Sequence, residues 1–353
     1  MDKLSEQIDE DLENKQMIQN CVFIKTNLML LVVLGHSVNF WRGDWFTGNP
    51  LIPSMGLTFL SKWVNSFHVY AFTLVSGYLF AYKMSAGGYV RYCAFFKNKA
   101  KRLLVPYVFS ALVWVVPISQ YFFKWNRTTL FGKYVLCESP SQLWFLWMLF
   151  DIFIIAWPLW KWLSGNVMKG IGISVVLYCI GVFGYKLMPN LFCIWIACQY
   201  MIFFFIGIQI KTYHCKGTGR TKEICCWSWL IIYIFVFSLD MLIEQNIKIR
   251  GVSAVSKLIT HIVGALMAYT TLDNLARYVK WEKNNLFVKL SKYSMPIYLF
   301  HEQFIYILVI LFNGRVNPWI NAVINFGGAV IGSFTISRLF MRSKIMRFLI
   351  GEK

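Results

Sequence analysis

This chain predicts an all-α polytopic membrane protein of about ten transmembrane helices with both termini in the cytoplasm. Three observations carry that expectation. Residues are 58% hydrophobic and only 14% charged, with a mean hydropathy of +0.53, whereas soluble domains carry about 25% charged residues. Apolar segments of roughly 20 residues, long enough to span about 30 Å of hydrocarbon, recur from end to end. The cations are sorted, since segments 82–102, 161–169, 211–223 and 273–293 with the tail from Arg338 hold about 22 of the 35 Lys and Arg, as expected of cytoplasmic loops.

The spans read as 21–40, 59–81, 103–123, 142–162, 170–186, 191–210, 224–243, 253–272, 294–312 and 317–340. Residues 1–20 are polar and acidic, without the basic-then-apolar order of a cleavable signal, so they read as an acidic cytoplasmic tail. Residues 21–340 form a single transmembrane domain, and 341–353 a basic cytoplasmic tail. No 20–50-residue repeat and no matched pair of Gly/Pro-broken helices is present, features that would mark solenoids and inverted-repeat transporters.

The formal charge of +19 does not point to nucleic acid, because the cations lie between spans where topology accounts for them. Nine cysteines are spread along the chain without metal-ligand spacing: Cys225 and Cys226 are adjacent rather than two residues apart. They read as small packing residues, and no metal site is expected.

Ionisable groups inside spans are costly and are functional candidates by default. The first helix carries Lys25 near its cytoplasmic end and His36 eleven positions on, roughly 16 Å along the axis. His68 lies about nine residues into the second span, close to the Ser76-Gly77 step. His301 lies about seven residues into the ninth. Asp151 falls near the middle of the fourth. His261 reads as a helix–helix hydrogen bonder and His214 as a solvated loop residue. Imidazole can take and give a proton near neutral pH. The run Lys97, Lys99, Lys101 and Arg102 before Pro106 could hold either anionic lipid or cofactor phosphates.

Five stretches together resemble the membrane-bound acyltransferase-3 family, which includes O-acetyltransferases of bacterial surface polysaccharides. They are Lys25 with His36 in LMLLVVLGHS; Phe67, His68, Phe72, Ser76 and Gly77; Lys99, Arg102 and Pro106; Leu143–Leu146 as LWFL; and Ser294, Ile297, Tyr298 and His301. The family's usual arginine is lysine at 25 and 99, which keeps the charge and loses the bidentate fork. The chain resembles the members without a hydrolase-like extracytoplasmic domain.

The resemblance implies acyl transfer from cytosolic acetyl-CoA to a hydroxyl of a cell-surface or lipid-linked glycan, in a bacterial inner membrane. It implies CoA phosphates at Lys25, Lys99, Lys101 and Arg102, with the pantetheine arm threaded toward His36. His36 would serve as general base or as transient acyl carrier, with Asp151 or Glu302 orienting an imidazole. His68, Ser76, Trp144 and His301 are the implied acceptor or thioester contacts. A transporter or flippase of a lipid-linked saccharide is the rival expectation, using the same cavity without covalent chemistry.

Overall fold

The computed structural model describes residues 2–43, 45–212, 219–247 and 249–352; His214 and Cys215 lie outside them. Among the described residues the chain is helical throughout, with no strand. In chain order the helices are α1 Asp2–Asn39, α2 Met55–Asn65, α3 His68–Ser85, α4 Tyr92–Ser110, α5 Val116–Phe123, α6 Arg127–Leu130, α7 Trp144–Gly165, α8 Val167–Leu187, α9 Ile194–Thr212, α10 Gly219–Asn246, α11 Arg250–Tyr278, α12 Asn285–Lys292, α13 Ser294–Phe312, α14 Pro318–Phe340 and α15 Lys344–Leu349.

Nine helices among the described residues are long and apolar enough to cross a membrane: Gln16–Arg42, Tyr92–Phe123, Ser141–Gly165, Val167–Leu187, Leu191–Thr212, Cys225–Asn246, Arg250–Tyr278, Ser294–Phe312 and Pro318–Phe340. They match nine of the ten expected spans. The remaining one, 59–81, is not continuous but divides into α2 and α3 at Ser66 and Phe67.

Short polar side chains that compete for backbone partners account for the break. Ser66 Oγ donates to the Trp63 carbonyl at 2.7 Å and lies 2.7 Å from the Tyr233 hydroxyl. Asn65 Nδ2 reaches the Ser61 carbonyl and Asn39 Oδ1, both at 2.7 Å. The Val64 carbonyl is taken by His68 Nδ1 at 2.7 Å. His68 thus begins a helix rather than sitting mid-span.

Residues 2–20 continue into α1, since no Gly or Pro interrupts the chain from residue 2 to 34. One further expectation changes. The loop expected over 82–102 is helical from Tyr92, so the cluster Lys97–Arg102 rides on α4. Pro106 sits inside α4, where it removes one backbone donor, and a π-helical turn over Ala111–Val115 follows before α5.

Helices α3 and α9 approach each other closely at two glycines. A Cβ on Gly77 would meet the Phe204 carbonyl oxygen at 2.0 Å, and one on Gly207 would meet the Leu74 carbonyl oxygen at 1.9 Å. Each glycine admits the other helix's backbone, as small residues do at membrane helix interfaces. Ser76 does not hydrogen-bond across this interface but to its own helix, Oγ to the Phe72 carbonyl at 2.9 Å. Gly207→Leu is expected to push α9 off α3 at a cost of about 3 kcal/mol or more. Size-exclusion profiles of detergent-solubilised protein check this, and a wild-type profile and yield would refute the contact.

An interior cavity sits between α1, α3, α4, α7 and α13. By contrast α8 presents Ile171, Val175, Val176, Ile180 and Phe183 outward, the apolar exterior that lipid contact requires.

Candidate functional site

A cavity of about 450 Å³ runs among these five helices. One end is cationic: Lys25, Lys83, Lys99, Arg102 and Lys292 line it, and Glu352 is the only carboxylate in the lining. Lys83, Arg102 and Lys292 are exposed, which marks this end as the mouth. Val32, Val69, Phe72, Phe145, Leu146, Leu149 and Met295 form the apolar walls, and His36 lies at the far end of the α1 contribution.

The cations are held on ring faces, a favourable placement for ammonium groups. Lys25 Nζ lies 5.4 Å from the Phe72 centroid. Lys99 Nζ sits 3.4 Å over Phe153 and 5.3 Å from Tyr89. The short stretch after α15 brings Glu352 to the mouth. Gly351 adopts φ +79°, and a Cβ there would meet Pro106 Cγ at 2.7 Å, so only glycine turns the chain this way. Burial pushes the Glu352 carboxyl above the usual carboxylate range, while Arg102, Lys292 and Lys25 pull it back down.

At the other end, α1 and α13 bring three ionisable groups together. The His36 and His301 rings lie 5.1 Å apart, edge to face. His36 Nδ1 is 3.8 Å from Glu302 Oε1 and is buried without a hydrogen-bond partner, and His36 lines the cavity. His301 Nδ1 lies 2.8 Å from the Tyr298 carbonyl, which can only accept, so Nδ1 carries the proton. The bare Nε2 of His301 is buried and unpartnered.

Glu302 is fixed from both sides. Tyr306 Oη donates to Oε1 at 2.5 Å, and the Gln142 backbone N–H donates to Oε2 at 3.0 Å. Gln142 is itself locked, its Nε2 donating to Gln303 Oε1 at 2.8 Å while its carbonyl accepts from the Tyr298 hydroxyl. A positive φ of 48° at Ser141 turns the chain so that the residue before the LWFL run meets α13.

Of the residues singled out in the sequence, Lys25, His36, Ser76, Lys99, Arg102 and Trp144 line this one cavity. Lys101 is exposed and not part of the lining. His68 and His301 pack behind His36: His68 Cε1 lies 3.6 Å from where a Cβ on Gly35 would be. The carboxylate beside His36 is Glu302. Asp151 instead neighbours Cys137, Cys193 and Cys198, with Oδ2 buried and unpartnered. His261, expected as a helix–helix hydrogen bonder, instead stacks its ring on Tyr70 of α3 at 4.0 Å.

Lys83, Lys292, Glu352 and Gln142 were not anticipated. Signals existed for two of them, because Lys292 lies two positions before Ser294 and Gln142 directly precedes Leu143. Among the described residues, no group of three or more His, Cys, Asp or Glu is placed to hold a metal.

A family model described as an acyltransferase domain, Acyl_transf_3, matches residues 23–338. No curated protein and no solved structure matches the chain. With nine apolar helices long enough to span a bilayer and the family model covering nearly all of its length, the chain belongs to the acyltransferase-3 family and is a multi-pass membrane acyltransferase.

Proposed function

We propose that this acyltransferase moves an acetyl group from cytosolic acetyl-CoA to a hydroxyl of a cell-surface or lipid-linked glycan across a bacterial inner membrane. The observation that carries this reading is the continuity of one cavity from a cluster of five cations to an imidazole. CoA phosphates cannot enter hydrocarbon, so they stay at the cationic mouth. The pantetheine arm then spans the roughly 16 Å of α1 between Lys25 and His36, along walls of Phe72, Phe145 and Met295.

At the thioester, His36 Nε2 takes the proton of the acceptor hydroxyl as its oxygen attacks the acetyl carbon. The carbon–sulfur bond breaks, and the departing CoA thiolate takes that proton from the His36 imidazolium. Glu302 faces Nδ1 and stabilises the imidazolium formed in that step, as the acid does in triad chemistry. In the covalent variant of the same site, Nε2 itself receives the acetyl group and passes it to the acceptor.

Mass spectrometry of surface polysaccharide with and without the protein tests the reading. Loss of one acetyl mass per modified residue supports it, whereas unchanged acetylation with altered glycan export favours a transporter. The mouth is tested separately. Arg102→Ala and Lys292→Ala are each expected to raise KM for acetyl-CoA about tenfold with little change in kcat. S-acetyl-pantetheine, which has no phosphates, should be indifferent to both changes. Equal effects on the two donors would remove the phosphate role from these residues.

A further inference from the structure

From His36 a chain of aromatic side chains, starting at Trp45, leads to one cation. Trp45 lies 5.9 Å from the His36 ring and 5.2 Å from Tyr306. Phe46 stacks on Tyr306 at 5.1 Å. Phe123 contacts Tyr306 at 5.5 Å and stacks on Trp125 at 4.7 Å. Lys133 Nζ then sits over Trp125, 4.7 Å from the ring centroid. The circuit closes through Glu302, which Lys133 senses electrostatically and which faces His36.

Lys133 is half-buried, and among the described residues it forms no ion pair. Glu302, the acid that acts on it electrostatically, spends both oxygens on Tyr306 and Gln142, and the Glu138 carboxylate lies against neighbouring Gly132 without an ion pair to Lys133 among the described residues. Burial accordingly lowers the ammonium below the usual lysine range, with Glu302 pulling the other way. A partly desolvated cation without a counter-ion is unfavourable unless a ligand supplies the charge. A second unsatisfied group also belongs to a partner of Trp125. Gln120 donates through Nε2 to the Trp125 carbonyl at 2.8 Å, which leaves its Oε1 buried without a partner. An aromatic wall, one free acceptor oxygen and one uncompensated cation suit a saccharide that stacks, donates a hydroxyl and carries a negative charge.

We infer that the acceptor is an anionic saccharide, bearing a carboxylate or a phosphate, and that Lys133 is the residue that selects for its charge. The inference rests on the acetyl-transfer reading above and narrows the acceptor to one chemical class. The donor's phosphates do not explain Lys133, because it is not part of the cationic mouth.

The test uses the full chain in nanodiscs with radiolabelled acetyl-CoA and two probes: a glucuronate-containing tetrasaccharide and the same compound with its carboxyl reduced to the alcohol. Wild-type protein should show a KM about tenfold lower for the charged probe. Lys133→Gln should raise that KM about tenfold while leaving kcat, the KM of the neutral probe and the KM of acetyl-CoA unchanged. Lys133→Arg should restore most of the preference. Equal KM values for the two probes with wild-type protein, or equal effects of Lys133→Gln on both, would overturn the selection. A fall in kcat for both probes would make Lys133 a partner of Glu302 instead, and would likewise overturn it. Acetylation of neither probe by wild-type protein would fail the acetyl-transfer reading itself, and this inference with it.

Discussion

His36→Ala is expected to lower kcat/KM for acetyl transfer by about 10²- to 10⁴-fold, the range for loss of a positioned general acid–base. Donor binding should survive, because the cations that would hold the phosphates sit at the other end of the cavity, roughly 16 Å away along α1. The measurement is steady-state acetyl transfer together with equilibrium binding of CoA to the same preparation. Activity within a few-fold of wild type would refute the role of the imidazole. Loss of CoA binding in parallel with activity would mean that the substitution had damaged the helix rather than the chemistry. A single turnover without acceptor separates the two chemical routes. A burst of one CoA per protein, with an acetyl mass on the peptide containing His36, identifies the covalent route. No burst leaves direct attack with His36 as base.

That expectation begins with two residues legible in the sequence. Lys25 and His36 lie on one uninterrupted helix, so a rise per residue fixes their separation before any tertiary structure is known. The spans were legible for the same reason: 294–312 and the helix Ser294–Phe312 share both ends, because apolar length is a local property. Local signals fail where tertiary hydrogen bonds decide. The break at Ser66 is made partly by the local bonds of Asn65, Ser66 and His68 and partly by Tyr233, 167 residues away, and only the former lie within 59–81. The start of α4 at Tyr92 was hidden differently, since the run Lys97–Arg102 that follows its short apolar first turn is basic and reads as loop, although nothing in it breaks a helix.

The site divides along the same line. Residues within one motif on one helix, such as Phe72 and Ser76, reach the cavity together because helical spacing puts them on one face. Which carboxylate meets His36 is a question of how α13 packs on α1. Asp151, in the middle of an apolar span, was as good a candidate on sequence as Glu302. The packing gives the place to Glu302 and leaves Asp151 among cysteines on the other side of α7. Glu352 and Lys292 reach the mouth through a left-handed glycine and a short amphipathic helix, neither of which carries a functional signal of its own.

Glu302→Gln is expected to cost about 10²-fold or more in kcat while leaving KM for acetyl-CoA within a few-fold, for reasons that can be read from its partners. Both oxygens of the carboxylate accept hydrogen bonds, from Tyr306 Oη and from the Gln142 N–H. A carboxamide offers one acceptor and one donor in the same space, so its oxygen must stay with the Gln142 N–H and its NH2 must turn to Tyr306, whose hydroxyl then has to accept rather than donate. The remaining group also carries no charge to stabilise an imidazolium at His36, and the analogous acid-to-amide change in a serine-protease triad lowers kcat by about 10⁴. At 3.8 Å the His36–Glu302 contact is too long for a hydrogen bond in the unliganded protein; catalytic bonds commonly tighten when substrate is bound. Tyr306→Phe provides the control. It frees Oε1 to move toward Nδ1 and removes a competing donor, so it should reduce kcat far less than Glu302→Gln, with both variants eluting as folded protein. If Tyr306→Phe is as inactive as Glu302→Gln, the carboxylate serves to anchor α13 against α7 rather than to support the charge on His36. If Glu302→Gln retains wild-type kcat, His36 acts without an acid partner, and the burial of Glu302 requires another account.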